Sequence, residues 1–124
     1  MMKFFECNND SLVIPVTKNF TNESSLQNAD EITPNSVDAA KEKHMPVVTC
    51  TENLITVNVG SVAHPMTEEH SITTVMLETQ KGGQYQFLPP DGEPIAKFQV
   101  ASGDRAVAAY AYCNLHGLWK VDID

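Results

Sequence analysis

The sequence predicts an all-β fold, an immunoglobulin-like seven-stranded antiparallel β-sandwich with a small N-terminal β appendage, and three observations carry that expectation. From Val37 onward, seven short β-rich and partly alternating runs follow one another: Val47-Val48, Leu54–Val59, Ile72–Leu77, Tyr85–Leu88, Ile95–Val100, Ala106–Tyr112 and Leu118–Val121. Turn signals separate them, among them Gly82-Gly83, Pro89-Pro90-Asp91-Gly92 and Ser102-Gly103-Asp104. Helix is scarce, with one turn at most over Ser36–Lys43. Strands this short, so closely spaced, bury their apolar faces by stacking into two layers.

Residues 1–36 are expected to form the appendage and residues 37–124 the main domain. The appendage opens with the apolar runs Phe4-Phe5 and Leu12-Val13-Ile14. A long polar connection follows over Thr17–Asn35, rich in Asn, Ser and Thr. At 124 residues and 42% hydrophobic, the chain can bury one core and has no room for a second large domain. A formal charge of -8 and a pI near 4.8 exclude a nucleic-acid partner and an anionic membrane surface, since both demand a basic face.

Cys7, Cys50 and Cys113 are an odd set at wide spacings, so no disulfide framework is expected and the compartment reads as cytoplasmic. The opening MMKFFECNND lacks the long apolar segment of a leader, and no run approaches membrane-spanning length. The sequons Asn19-Phe20-Thr21 and Asn22-Glu23-Ser24 are therefore expected to be idle. Cys7 reads as a small, partly buried side chain, and Cys50 as a buried or half-buried free thiol.

The chemistry concentrates in Tyr112–Trp119, YCNLHGLW, where Cys113 and His116 stand three residues apart at the end of the apolar run Ala106–Tyr112. Gly117 lets the backbone turn there, and a thiolate and an imidazole so placed can reach one metal ion. The remaining histidines are His44 in EKHMP and His64 and His70 in GSVAHPMTEEH. Four neutral imidazoles with one thiolate make a five-coordinate site with an open position. Structural zinc closes at four ligands, and this donor set suits iron or copper. Any one of these histidines alone reads as solvated, and Cys113 alone as a core thiol. The residues by themselves lead to a metal site and to no named reaction.

The strings PNSVDAAKEKHMPVV, VNVGSVAHPMTEEHSI and AYAYCNLHGLWK resemble those of the superoxide reductases, the desulfoferrodoxin and neelaredoxin family, in order over Pro34–Lys120. The resemblance implies one mononuclear non-haem iron per chain, with His44, His64, His70 and His116 in its equatorial plane and Cys113 on the axis. It also assigns Glu42 as the carboxylate that fills the sixth position of the ferric site, and Lys43 as the ammonium that draws superoxide in. Without the resemblance, Lys41-Glu42-Lys43 reads as a solvated charge run. The implied reaction is one-electron reduction of superoxide to hydrogen peroxide. Re-reduction by an external donor such as rubredoxin and a homodimeric state are implied too.

Two departures stand out. Fuller family members carry an N-terminal desulforedoxin-like module with four cysteines on a second iron. Here Asp10 stands where the partner of Cys7 would be, so residues 1–36 resemble a degenerate module without metal. Thr74 stands in the strand after His70, where many members have tryptophan. Trp119 is expected to pack over the ligand loop, and Met45 and Met66 to pack rather than ligate.

The alternative from another class is a cupredoxin-like electron-transfer protein, with copper held by two histidines, a cysteine and an axial methionine. Gly117–Asp124 contains no methionine to fill that role. A metal-free binding module of immunoglobulin-like type ranks last, since it leaves the histidine pattern unexplained.

Overall fold

The computed structural model describes residues 2–7, 11–17, 29–62 and 64–124, in which two compact units separate, Met1–Thr33 and Pro34–Asp124. In the first unit, β1 (Phe4–Cys7) lies between β2 (Ser11–Val13) and β3 (Ala29–Ile32), both antiparallel to it. Phe4 and Phe5 are both buried. Strand β3 corrects the expectation of an unbroken polar connection over Thr17–Asn35. Its residues Ala29, Asp30 and Glu31 are poor strand formers, and the segment pairs because β1 offers it an edge. The two sequons lie outside the described residues.

The second unit opens with a single helical turn, α1 (Lys41–His44), ended by Pro46, which disfavours helical backbone in the residue before it. The strands then follow in order: β4 (Pro46–Thr51), β5 (Leu54–Val59), β6 (Ile72–Thr79), β7 (Gly82–Phe87), β8 (Ile95–Gln99), β9 (Ala106–Cys113) and β10 (Gly117–Asp122). One sheet has the order β10-β9-β6-β7 and the other β4-β5-β8, all neighbours antiparallel. The all-β expectation therefore holds, and the predicted helical turn is confined to Lys41–His44. Among the described residues, no helix is long and apolar enough to cross a membrane.

Alternation in β5 builds one wall of the core: Ile55, Val57 and Val59 are buried, while Leu54, Thr56 and Asn58 are more exposed. Ala96, Phe98 and Val100 extend that wall, and Ile72, Val75, Leu77, Ala109, Ala111 and Cys113 form the facing one. Strand β9 is buried on both faces from Ala108 to Cys113, which explains why it reads as a continuous apolar run. A register shift between Ile72 and Thr74 bulges β6 where it pairs with Cys113. Bulges of this kind re-aim the chain beside functional sites.

The two sheet edges β7 and β8 are joined by side chains. Gln84 Nε2 donates to Gln99 O at 2.8 Å, and Gln86 Nε2 donates to Lys97 O. Cys50 is exposed on β4, against the expectation of a buried thiol. It shares the core-facing side of β4 with Pro46 and Val48, but lies toward the far end of the strand, where burial has faded. Cys7 is half-buried, as expected.

Leu77 has no exposed surface. Leu77→Ala removes its methyl groups from a core flanked by strands on both sides, and it should cost about 2–5 kcal/mol. Urea unfolding is expected to show a lower midpoint at unchanged slope.

Candidate metal centre

Each predicted donor sits at or beside the end of a strand. His44 closes α1 just before β4, His64 follows β5, His70 precedes β6, Cys113 ends β9 and His116 precedes β10. The core fixes the strands, so their ends carry these side chains to one place. One ligand atom from each of the five residues lies within 4.8 Å of all the others.

The imidazoles form a ring in the order His44, His64, His70, His116. Neighbouring centroids are 4.6, 4.6, 5.1 and 4.9 Å apart around it, and the His44–His70 diagonal is 6.4 Å. Cys113 Sγ lies 3.5 Å from His64 Nε2 and 3.9 Å from His116 Nδ1. His44, His64 and Cys113 are buried, while His70 and His116 are half-buried.

Backbone carbonyls set two of the tautomers. Ala40 O lies 2.7 Å from His44 Nδ1, and Pro65 O lies 2.7 Å from His64 Nδ1. A carbonyl can only accept, so both Nδ1 atoms carry the hydrogen and both Nε2 atoms of the neutral rings present lone pairs inward. Those two Nε2 atoms are 3.0 Å apart, and His44 Nε2 is 3.1 Å from His116 Nδ1. His70 Nε2 is buried with no hydrogen-bond partner among the described residues.

Burial is the main reason the rings of His44, His64 and His70 resist protonation. It pushes His64 down to about 4 and lowers His44 and His70 as well, with the neighbouring imidazoles acting in the same direction. Burial also raises the Cys113 thiol, against the backbone N–H groups of Leu115 and His116, which favour the thiolate.

This donor set fits a metal ion. Imidazole–metal bonds of about 2.1 Å meeting at right angles place adjacent nitrogens about 3.0 Å apart, the spacing found between His44, His64 and His116. An ion would also supply the partner that His70 Nε2 lacks and the positive charge that holds Cys113 as thiolate. Four clustered imidazoles leave no support for the cupredoxin pattern of two, and Met66 packs against the core, away from any ligand role.

Trp119 stacks on His44 with centroids 5.0 Å apart and planes 21° apart, and its indole donates to His116 O at 3.1 Å. It covers the ligand loop as expected and supplies an aromatic side chain beside the site, where Thr74 does not. Thr74 is half-buried and pairs with Phe87 and Tyr112.

Glu42 and Lys43 are exposed, on the turn that ends in His44. Charge on Lys43 is felt at His44 and His70, and charge on Glu42 at His44. Three backbone-directed bonds hold this turn to the end of β5: Val62 N to Glu42 O at 2.9 Å, Ser61 Oγ to Glu42 O at 3.4 Å, and Gly60 N to Met45 O at 3.0 Å. Gly60 has φ of +88°, and a Cβ there would lie 2.5 Å from Val62 O, 2.7 Å from Lys43 O and 2.9 Å from Glu42 O. Only glycine fits. Sequence reasoning passed over Gly60, although a glycine following the alternating run Leu54–Val59 was the available signal.

The fold and the donors together define a mononuclear metal centre of four imidazoles and one thiolate at the end of a β-sandwich. Residues 36–122 match the desulfoferrodoxin family, and the chain belongs to it. A desulfoferrodoxin from Clostridium acetobutylicum is 49% identical over 94 residues, which cover 75% of this chain and 72% of that protein. The crystal structure of the superoxide reductase from Treponema pallidum superposes over 98% of both chains, with a TM-score of 0.80 and 40% identity. The 1Fe superoxide reductase from Giardia intestinalis covers 68% of this chain and 99% of its own, with a TM-score of 0.57 and 36% identity.

The folded-state value of His64, about 4, lies below the unfolded value of 6.5. Between those values the unfolded chain binds the proton and the native chain does not, so stability rises with pH in that window. The metal-free protein should be fully stabilised by this group above pH 6.5 and lose that contribution as pH falls toward 4. Urea midpoints across that range check it.

Proposed function

We propose that this protein is a superoxide reductase, holding one iron through His44, His64, His70, His116 and Cys113. The observation that carries this reading is the convergence of five donor atoms within 4.8 Å, with inward lone pairs on His44 Nε2 and His64 Nε2 and no partner among the described residues for His70 Nε2. Iron bound there supplies the electron that, with two protons, converts superoxide to hydrogen peroxide.

The chain's own residues then do five things. The four imidazoles and the Cys113 sulfur would hold the metal, and the half-buried His70 and His116 leave the cluster open to a small molecule. The N–H groups of Leu115 and His116 stabilise the Cys113 sulfur as anion and so tune the metal's potential. Lys43 places a cation beside the site of a protein whose net charge is -8, so that superoxide meets local attraction where the global field repels it. Glu42, its neighbour, serves as the carboxylate that closes the oxidised site. Trp119 keeps water from the His44 side.

The Met1–Thr33 unit fits a desulforedoxin-like module that has lost its iron, since Cys7 is the one cysteine of that segment. Re-reduction by rubredoxin or a similar donor, a homodimeric state and a cytoplasmic location complete the reading. Metal analysis of the purified chain, with its oxidised optical spectrum and superoxide reduction followed by pulse radiolysis, tests it. One iron per chain with a visible thiolate-to-iron band supports it; an intense blue copper band, or two tightly held irons, overturns it.

Cys113→Ser exchanges a soft thiolate for a hard, weakly acidic hydroxyl, so the visible band should vanish and turnover collapse. Cys50→Ser, at an exposed position outside the donor cluster, should leave both intact. Equal behaviour of the two variants would sink the ligand assignment.

Lys43→Ala should slow capture of superoxide by the reduced protein roughly tenfold or more, with a weaker dependence on ionic strength. Glu42→Ala should leave that step nearly unchanged. Stopped-flow or pulse-radiolysis rates across a salt series distinguish them.

A further inference from the structure

We propose that Asn114 is a positioning residue that ties the two ligand segments together and sets where His70 enters the site. This rests on reading the five donors as one metal centre. Asn114 stands inside the Cys113–His116 loop, yet its bonds go to the other segment. Its Oδ1 accepts from Ser71 N at 3.0 Å, and its Nδ2 donates to Glu69 O at 2.9 Å. Its own backbone N donates to Ser71 O at 3.3 Å. A single carboxamide therefore engages the backbone on both sides of His70, much as a neighbouring strand would.

His70 needs this more than the buried ligands do. His44 and His64 each anchor a ring nitrogen on a backbone carbonyl 2.7 Å away, whereas the ring of His70 has no such carbonyl among the described residues. Its Nε2 is buried and unpartnered. The position of that ring is consequently inherited from its backbone. Within its own loop, His70 N donates to Thr67 Oγ1 at 3.1 Å, and His70 O accepts from Thr67 N at 3.0 Å. These bonds shape the turn but fasten it to nothing outside. Asn114 is what connects the turn to the loop bearing Cys113 and His116, so that three of the five donors move as one body.

The arrangement predicts a specific dependence. Asn114→Ala removes both side-chain bonds and frees the His70 turn, while Cys113 and His116 keep their places at the β9–β10 junction. Outer partners of metal ligands typically contribute about 10–100-fold in metal affinity. Asn114→Asp keeps the shape and the bond from Ser71 N but cannot donate to Glu69 O, so its effect falls between wild type and alanine.

The test uses the full chain and ferrous iron, titrated anaerobically against a competing chelator. Asn114→Ala should weaken iron binding by at least tenfold. In a His70→Ala background the same substitution should cost less than threefold, because a residue acting through His70 has nothing left to position. In the metal-free chain, hydrogen exchange at the Ser71 amide should accelerate at least tenfold in Asn114→Ala. Equal losses of affinity in both backgrounds, or an unchanged Ser71 exchange rate, overturn the proposal. A wild-type chain that holds no ferrous iron would instead overturn the metal reading, and the Ser71 exchange rate would still decide whether the tie exists.

Discussion

Nitrogen lone pairs aimed at one another are the constraint on which this structure turns. With the Nδ1 hydrogens of His44 and His64 committed to backbone carbonyls, their Nε2 atoms meet at 3.0 Å with no proton between them. Protonating a ring would relieve the repulsion, but burial opposes the charge. The polypeptide therefore holds an unfavourable contact by the rigidity of its core, and a cation is what turns that contact favourable. Cys113 adds the same demand, as a buried thiol that becomes a stable anion only beside positive charge.

The sandwich meets this demand by placing all five donors at strand ends. The strands are fixed by Ile72, Val75, Leu77, Phe98 and their neighbours, whose packing has no connection with metal chemistry. The loops between ligands are short and internally bonded, so little conformational freedom remains for the metal to remove. The half-buried His70 and His116 leave the ring accessible from solvent. Lys43 reaches this region because Gly60 lets two backbones approach more closely than any side chain would allow.

Much of this was legible before folding, and the limits are physical. The core strands announced themselves through alternation in Leu54–Val59 and unbroken apolar character in Ala106–Tyr112. The donors were legible because thiolate and imidazole are scarce residue types, and every histidine of the chain joins the cluster. Strand β3 was not, because Ala29–Ile32 has weak strand propensity and pairs through what β1 provides. Cys50 was misjudged because residue type predicts burial only on average, and its place near the end of an edge strand decides the case. Gly60 and Asn114 act through backbone atoms far away in sequence, a kind of contact that no local pattern records.

The glutamines of β7 bear on the life of the chain before it meets its metal. Strands β7 and β8 are each one margin of their sheet, with β10 and β4 the other margins, and a margin is where a foreign strand would add. Gln84 and Gln86 occupy the carbonyls of Gln99 and Lys97, so the outer rim of β8 offers little to an incoming template. A protein whose ligand end carries repelling lone pairs until iron arrives must keep its fold through an interval without the metal. The seam between β7 and β8 is stitched by side chains that take no part in holding the metal, so this guard on the β8 rim is in place before iron binds.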